Sequence, residues 1–191
     1  MNDLRATPNL LTFLRLIIAP FLVIAVLDGH YAWAFGLFVA AGLTDAMDGL
    51  LARLLDEQTL LGQYLDPVVD KLLLSTLFLV LHHEGLLSLL VTVLVFARDL
   101  GILMVAAILF ATTSIRNFKP TLFGKANTVA QILAVAAVIL SQFFAPLWVV
   151  LIRKGALAAT IILTLVSGFH YAWRAMRQIG ATAAPSERPV R

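Results

Sequence analysis

The chain is built from long apolar blocks separated by short polar breaks. Each block has roughly 20 residues, the length at which an α-helix crosses the hydrocarbon core of a bilayer. Gly, Pro, Asp and His residues in the breaks are typical of helix ends and loops. The pattern predicts an all-α polytopic membrane protein with six transmembrane helices in a bundle, at roughly 10–28, 31–54, 66–82, 86–111, 125–145 and 155–175.

Composition supports this fold class and narrows the function. Only 13% of the 191 residues are charged and 61% are hydrophobic, whereas a soluble domain carries about 25% charged residues. In such a chain the net charge of +3 does not indicate a nucleic-acid partner. The absence of cysteine excludes disulfides, thiol chemistry and sulfur-ligated metals. We expect one transmembrane domain at 1–178, followed by a small, polar and disordered tail at 179–191.

The positions of Lys and Arg predict the orientation of the bundle, because cytoplasmic loops are enriched in these residues. Six spans place both termini on one side. That side would carry Arg5, Arg53, Arg116, Lys119, Lys125, Arg174, Arg177, Arg188 and Arg191. The opposite side would carry only Arg153 and Lys154. We therefore expect an integral protein of a bacterial inner membrane with both termini in the cytoplasm.

Carboxylates gather in one stretch, residues 44–71, at the predicted cytoplasmic side of helices 2 and 3. Asp45 and Asp48 are three residues apart and Asp66 and Asp70 are four apart, so each pair shares a helix face. If the two helices are antiparallel neighbours, the acidic faces meet. Carboxylates that close need cations, and oxygen ligands without Cys or His favour Mg²⁺ or Mn²⁺. Two such ions about 3.5–4 Å apart would bind an anionic substrate between the helices.

Small residues accompany the carboxylates and leave room beside them. Gly49 and Ala52 follow Asp48 on helix 2, and Gly62 allows the link between the helices to turn. Arg53, one turn after Gly49, provides a positive charge for a phosphate group. Together they indicate a site for two metal ions, a phosphate and a bulky group.

Each of these features also has a simpler explanation. Carboxylates within membrane helices can form an ion or proton pathway, so a transporter is an alternative of another class. Asp66 followed by Pro67 is typical of a helix N-terminus. Gly49 and Ala52 are also compatible with close helix packing alone.

The joint spacing is more specific than any single residue, and it resembles the signature of the CDP-alcohol phosphatidyltransferase family. The signature reads Asp45-x2-Asp48-Gly49-x2-Ala52-Arg53-x8-Gly62-x3-Asp66-x3-Asp70. The segment PNLLTFLRLIIAP also looks like the family's entry into its first span. The resemblance implies an enzyme that transfers a phosphatidyl group from CDP-diacylglycerol, or a phosphoalcohol from a CDP-alcohol, to a hydroxyl acceptor and releases CMP.

The resemblance also implies roles for single residues. The four aspartates would hold two divalent cations, Mg or Mn, and Asp70 would act as general base on the acceptor hydroxyl. The cytidine-phosphate site would include Gly49, Arg53, Asn9, Thr12 and Thr59. The family further implies a homodimer that binds CDP-diacylglycerol and a lipid acceptor in the membrane.

The second half of the chain bears on the acceptor. Arg98 and Asp99 within helix 4 form either an internal ion pair or a substrate contact, and Lys119 and Lys125 lie in a basic segment that could recognise phosphate. Family members that use glycerol-3-phosphate usually have a Lys at the position of Asn127. The segment therefore looks more like the CMP-forming cardiolipin synthase branch, so phosphatidylglycerol is the favoured acceptor and glycerol-3-phosphate the alternative.

Overall fold

The computed structural model describes the backbone of residues 7–54, 60–112 and 122–183, and within them the side chains of 14–47, 69, 71–101, 104, 122 and 124–170. These ranges form six α-helices and no β-strand, which confirms the predicted all-α class. The helices are α1 (Thr7–Leu27), α2 (Tyr31–Leu54), α3 (Leu60–His83), α4 (Leu89–Thr112), α5 (Leu122–Phe143) and α6 (Leu147–Ala183).

The connections from α1 to α2 and from α3 to α4 are built in the same way. Each helix ends at a glycine in the left-handed conformation, Gly29 with φ 72° and Gly85 with φ 70°. After Gly29 the amide of His30 donates to the carbonyl of Ala25 at 2.9 Å, and the equivalent bond follows Gly85. This is the Schellman motif, in which glycine alone avoids the steric penalty of a side chain. Both connections are therefore tight turns at the same end of the bundle.

Helix α3 begins earlier than the sequence predicted. The expected start was near Asp66, with Asp66 and Pro67 at the helix N-terminus, but α3 begins at Leu60. The helix-capping interpretation of Asp66 is therefore wrong, because the backbone is already helical for six residues before it. Leu and Gln in the segment 60–65 have high helix propensity, which explains the longer helix.

Helix α6 extends beyond its predicted range of 155–175 at both ends. It starts directly after Pro146, a residue whose fixed φ suits a helix start. At its other end it covers five residues of the stretch predicted to be a disordered tail, since no proline occurs there before Pro185. Residues 184–191 of that stretch lie outside the described residues.

Arg153 shows why the start of α6 was misplaced. The predicted last span begins after the polar pair Arg153 and Lys154, but both residues lie inside α6. Arg153 donates to the carbonyl of Leu86 at 3.0 Å and to Ser141 Oγ at 3.2 Å. Because the guanidinium is bonded to the α3–α4 turn and to α5, its charge does not interrupt the helix.

The helices pack as two fused rings of four. Helix α1 packs on α2 and α3, and α5 packs on the same two helices, which closes the first ring. Helix α4 packs on α3 and α6, and α6 packs on α5, which closes the second. In the described part of the chain α2 and α3 share at most a marginal contact. Along the described residues α2 and α3 are instead linked through α1 and α5, and the predicted meeting of their acidic ends involves side chains that lie outside the described residues.

The two ends of the bundle differ in character. One end, which we call the apolar half, holds the hydrophobic core from the later parts of α1, α3 and α5 and the earlier parts of α2 and α4. Its fully buried side chains include Leu22, Val26, Ala34, Leu77, Phe78, Leu81, Val95, Val138 and Ile139. The other end, which we call the polar half, contains Arg15, Asp45, Lys71, Arg98, Asp99, Asn127, Gln131, Thr164 and Ser167.

Large apolar side chains also cover much of the outside of the bundle, on every helix whose side chains are described. Within the residues whose side chains are described, two segments are long and apolar enough to cross a membrane, Gly124–Phe143 in α5 and Leu147–His170 in α6. Shorter apolar stretches lie in α1, α2 and α3, at Leu14–Leu27, Tyr31–Met47 and Lys71–His83.

Candidate active site

Asp45 is the one predicted metal ligand whose side chain is described, and it is paired with a residue on another helix. Its carboxylate projects from α2 and is 50% exposed. Nη2 of Arg15, on α1, lies 2.8 Å from Asp45 Oδ1, and the Arg15 side chain is 2% exposed. A guanidinium buried to this degree needs a carboxylate or equivalent acceptors. The ion pair therefore fixes the predicted site to α1 as well as to α2.

The Asp45 carboxylate is also accessible to a ligand. Oδ1 lies beside Arg15, and half of the side chain remains exposed. A carboxylate that is held by an arginine and is still open to solvent is a suitable ligand for a hard cation such as Mg²⁺ or Mn²⁺. The donor chemistry at Asp45 therefore fits the divalent cations that the sequence predicts.

The other three aspartates are placed by their backbone only, since their side chains lie outside the described residues. Asp48 lies one turn after Asp45 on α2, and Asp66 and Asp70 lie one turn apart on α3. Among the side chains that are described, no three His, Asp or Glu residues come close enough to hold a metal ion. The two-cation site therefore stays a prediction at these four positions.

Most of the predicted substrate-binding side chains also lie outside the described residues. The described backbone includes Asn9 and Thr12 on α1, Gly49, Ala52 and Arg53 on α2, and Gly62 on α3. Thr59 and Lys119 fall in segments that the structure does not describe. Lys125 is exposed at the start of α5 and has no partner among the described residues.

A buried ion cluster lies beside the predicted catalytic residue. Lys71, which directly follows Asp70 on α3, places Nζ 2.8 Å from Asp99 Oδ1 on α4. Arg98 Nη1 lies 2.7 Å from the same oxygen. The structure thus shows Arg98 and Asp99 as an internal ion pair, one of the two readings left open by the sequence, and adds Lys71 to it. Two cations therefore share one carboxylate oxygen.

Hydrogen bonds continue from this cluster to α6 and α5. Arg98 Nε donates to Ser167 Oγ at 3.2 Å, and Ser167 Oγ donates to the carbonyl of Thr164 at 3.2 Å. Thr164 Oγ1 donates to Asn127 Oδ1 at 3.1 Å. The network therefore joins all four helices of the second ring, and it reaches Asn127, the residue on which the predicted acceptor preference rests.

The cross-links also define the directions of the helices. Two contacts join α3 to α4: Lys71 with Asp99, and the carbonyl of Phe78 with the hydroxyl of Thr92. From the first contact to the second, the residue number rises by seven in α3 and falls by seven in α4, so these helices are antiparallel. Asn127 and Thr164 join α5 to α6 at the polar end, and Ser141 and Arg153 join them at the other.

These cross-links make α5 and α6 antiparallel and α3 and α5 parallel. Lys71 and Asn127 therefore lie at a similar height in the bundle, within about one helical turn, ~5 Å.

Arg15 and Lys71 are not predicted by the spacing of the aspartates. The signal that was available is position: Arg15 stands in the middle of the first apolar block, and Lys71 directly follows Asp70 at the start of an apolar run. A basic residue within an apolar block is costly unless it is paired, so each marks a buried partner. The identity of the partner depends on the fold and could not be derived from spacing.

Comparisons with known proteins bear on the activity of the chain. The family model described as CDP-alcohol phosphatidyltransferase matches residues 5–167, which includes all four predicted aspartates. A probable phosphatidylglycerophosphate synthase of Mycobacterium tuberculosis is 35% identical over 181 residues, covering 90% of this chain and 82% of that protein.

Two further relatives carry different activities in their names. The cardiolipin synthase (CMP-forming) of Rattus norvegicus is 33% identical over 155 residues, covering 72% of this chain and 51% of the rat protein. The CDP-diacylglycerol–glycerol-3-phosphate 3-phosphatidyltransferase of Bacillus subtilis is 29% identical over 189 residues, covering 89% of this chain and 96% of the bacterial protein. These relatives are all named as enzymes of phospholipid synthesis, which gives no support to the transporter alternative.

Proposed function

We propose, since the chain belongs to the CDP-alcohol phosphatidyltransferase family, that it transfers a phosphatidyl group from CDP-diacylglycerol to phosphatidylglycerol, forming cardiolipin and CMP. The single observation that carries the assignment to this site is the position of Asp45. Its carboxylate is half exposed and forms an ion pair with Arg15 through Oδ1, within the residues that the family model matches.

Asp45, Asp48, Asp66 and Asp70 would hold two divalent cations, Mg²⁺ or Mn²⁺. Such ions, when bound, neutralise the pyrophosphate oxygens and stabilise the charge on the departing nucleotide. Arg15 holds Asp45 Oδ1 and so orients the ligand, a role that partners of metal ligands commonly have.

The transfer is a single displacement at phosphorus. The acceptor hydroxyl oxygen bonds to the phosphorus of the phosphatidyl group, and the bond from that phosphorus to the CMP oxygen breaks. Asp70 takes the hydroxyl proton as general base, and CMP leaves with the electron pair of the broken bond. The Lys71–Asp99 ion pair ties the turn of α3 that carries Asp70 to α4.

The preference for phosphatidylglycerol is supported by the electrostatics around Asn127. Asn127 is fully buried, neutral and bonded to Thr164, in a network that already contains Lys71 and Arg98 against one carboxylate. A phosphodiester acceptor carries one negative charge, whereas a phosphate monoester carries close to two. A site without a further cation at position 127 suits the phosphodiester.

Glycerol-3-phosphate is the second candidate acceptor. It is favoured by the likeness to the Mycobacterium tuberculosis and Bacillus subtilis relatives, whose names specify phosphatidylglycerophosphate synthesis and a glycerol-3-phosphate acceptor. The product would then be phosphatidylglycerophosphate.

We further propose that the bundle spans a bacterial inner membrane with both termini and the aspartates on the cytoplasmic side, and that it acts as a homodimer. The apolar exterior of the helices and the two segments long enough to span a bilayer support the membrane placement. The uneven distribution of Lys and Arg supports the orientation.

An acceptor panel tests the proposal. Purified chain is incubated with CDP-diacylglycerol, Mn²⁺ and either phosphatidylglycerol or glycerol-3-phosphate, and CMP is measured. We expect CMP with phosphatidylglycerol; CMP with glycerol-3-phosphate alone would transfer the assignment to the second candidate. Asp70→Asn should lower the rate about 10²–10⁴-fold, the usual effect of losing a general base, and should still bind CDP-diacylglycerol. Rates that match wild type in this variant would contradict the role of Asp70.

A further inference from the structure

Two neighbouring amide side chains on α5 are buried with hydrogen-bonding atoms left unpaired. Gln131 and Asn127 are both 0% exposed and lie one helical turn apart. Gln131 Nε2, Gln131 Oε1 and Asn127 Nδ2 have no hydrogen-bond partner. Asn127 Oδ1 is occupied by Thr164. One turn of the helix therefore carries two amide NH₂ groups and one carbonyl oxygen that have no partner among the described residues.

Asp99 Oδ2 is also buried without a hydrogen-bond partner, but Asp99 is paired through its other oxygen, and the buried hydroxyl groups of the bundle are bonded. Thr92 donates to the carbonyl of Phe78, Thr160 donates to the carbonyl of Ala156, and Ser167 donates to the carbonyl of Thr164. Buried polar groups in folded proteins are paired almost without exception, because leaving them unpaired is costly. The unpaired atoms of Gln131 and Asn127 thus indicate a ligand position.

The position of the two amides fits the acceptor. Helix α5 packs on both α2 and α3, the helices that carry the aspartates. Asn127 belongs to the hydrogen-bond network that ends at Lys71, the residue after Asp70. Gln131 lies one turn further along α5, about 6 Å deeper into the bundle. A group bound to Gln131 therefore lies deeper in the bundle than the start of α5.

The chemistry of the amides selects neutral hydroxyls. An amide N–H donates and an amide C=O accepts, and a hydroxyl group does both at once. Neither Asn127 nor Gln131 carries a charge, so an anionic phosphate would gain more from the cationic cluster at Lys71 and Arg98 than from the amides.

We propose that Gln131, with Asn127, binds the secondary hydroxyl of the acceptor's glycerol, next to the primary hydroxyl that attacks. The inference rests on the proposed function and names the acceptor class as a 1,2-diol. Gln131 Oε1 accepts a hydrogen bond from the secondary hydroxyl, and the amide N–H groups donate hydrogen bonds to the oxygen of that hydroxyl. Phosphatidylglycerol and glycerol-3-phosphate share this diol, so the subsite recognises either one and positions its primary hydroxyl for Asp70.

The test removes the secondary hydroxyl from the substrate and the amide from the protein. Wild type and Gln131→Met, a variant of similar length, are assayed for CMP release with CDP-diacylglycerol and Mn²⁺. One arm compares phosphatidylglycerol with phosphatidyl-1,3-propanediol, and the other compares glycerol-3-phosphate with 3-hydroxypropyl phosphate. The second compound of each pair lacks the secondary hydroxyl. The arm with activity identifies the source of the diol.

We expect wild type to prefer the diol by at least 10-fold in kcat/KM, on the order of one buried hydrogen-bonded hydroxyl. Gln131→Met should lose most of that preference by raising the KM for the diol, with little change in the KM for CDP-diacylglycerol. Its melting temperature should stay level or rise, because an unpaired buried amide is replaced by an apolar chain. Gln131→Leu serves as a second variant if Gln131→Met does not fold.

Gln142→Met is the matched control. Gln142 lies on the same helix at the other end of the bundle, and its Nε2 donates to the carbonyl of Val138 at 3.1 Å. This variant should keep the full preference for the diol. An equal preference in wild type and Gln131→Met would overturn the proposal and indicate that the amides bind water only. Absence of CMP with every acceptor in wild type would instead overturn the proposed function, and the subsite with it.

Discussion

The apolar half and the polar half of the bundle use the same six helices in opposite ways. In the apolar half, side chains such as Leu77 and Phe78 are fully buried among other hydrocarbon groups, and the glycine turns close the helices with paired backbone atoms. In the polar half, Arg15 and Asp99 are buried to the same degree but are charged, and both lie in ion pairs with residues of other helices. Stability should therefore arise mainly in one half and chemistry in the other.

The difference is clearest in how completely polar groups are paired. Arg153, at the apolar end, has bonds to a turn carbonyl and to a serine hydroxyl. Toward the predicted site, Asp99 Oδ2, Asn127 Nδ2 and both polar atoms of Gln131 are buried without partners. Proteins tolerate such deficits where function requires them. The comparison predicts that substitutions in the two halves will separate loss of stability from loss of activity.

Asp99→Ala should give the largest loss of stability in the polar half. It removes the carboxylate shared by Lys71 and Arg98, and stranding a buried charge typically costs about 3–5 kcal/mol. The measurement is the free energy of unfolding of the detergent-solubilised protein. Lys125→Ala, at an exposed lysine without a recorded partner, is the control and should change little. A loss below 1 kcal/mol for Asp99→Ala would contradict the shared ion pair.

Leu77→Ala tests the apolar half. Leu77 is 0% exposed within the core, and truncating a buried leucine costs about 2–5 kcal/mol through lost packing and the cavity left behind. At a temperature where the variant is folded, kcat for CMP release should stay within about twofold of wild type, since α3 is altered away from Asp70. Leu72→Ala, at an exposed leucine on the same helix, is the control. A drop in kcat as large as that of Asp70→Asn would remove the distinction between the halves.

Arg15→Met should act mainly on catalysis. It removes the partner of Asp45 Oδ1, and losing the residue that orients a metal ligand typically lowers metal affinity or activity about 10–100-fold. The measurements are kcat/KM for CDP-diacylglycerol and the Mn²⁺ concentration that gives half-maximal activity. Arg153→Met, which removes the arginine that links α6 to the α3–α4 turn in the apolar half, is the matched control. It should lower stability without changing the Mn²⁺ concentration that gives half-maximal activity. If both variants gave the same Mn²⁺ dependence as wild type, Arg15 would have no orienting role.

Gly85→Ala should give the smallest effect. The glycine adopts φ 70°, where an alanine is strained by about 1–2 kcal/mol. No atom lies within 4 Å of an added methyl group, so the cost is backbone strain alone. The melting temperature should fall by a few degrees, and the diol preference should stay unchanged. Gly155→Ala, within α6 and at ordinary φ, should instead be neutral or stabilising.

Much of the fold follows from the sequence because apolar blocks and turn residues act locally. The prediction of six helices is confirmed, and α2 was placed at its observed bounds. The starts of α3 and α6 were wrong because polar residues were taken as breaks. In α6 the Arg153 guanidinium donates hydrogen bonds to residues 12 and 67 positions earlier in the chain. A local sequence pattern does not contain partners at such distances.

The residues of the candidate site also fall into two groups, those that local spacing predicts and those that depend on helix packing. The four aspartates and the glycines are marked by fixed spacing, and the family match covers them. Arg15, Lys71 and Gln131 depend on which helices meet: α1 with α2, α3 with α4, and α5 with its neighbours. The relation of α2 to α3 was predicted as direct contact, whereas along the described residues both helices pack on α1 and α5. Partners across a bundle are set by packing, and spacing along one helix does not encode them.

We propose that the polar half holds divalent cations through Asp45 and the neighbouring aspartates. The decisive measurement is Mn²⁺ binding to purified wild type and Asp45→Ala, followed by electron paramagnetic resonance with CDP-diacylglycerol present. We expect about two bound ions per chain in wild type, as in two-metal sites, and a marked loss in the variant. Equal Mn²⁺ binding by both proteins would contradict it.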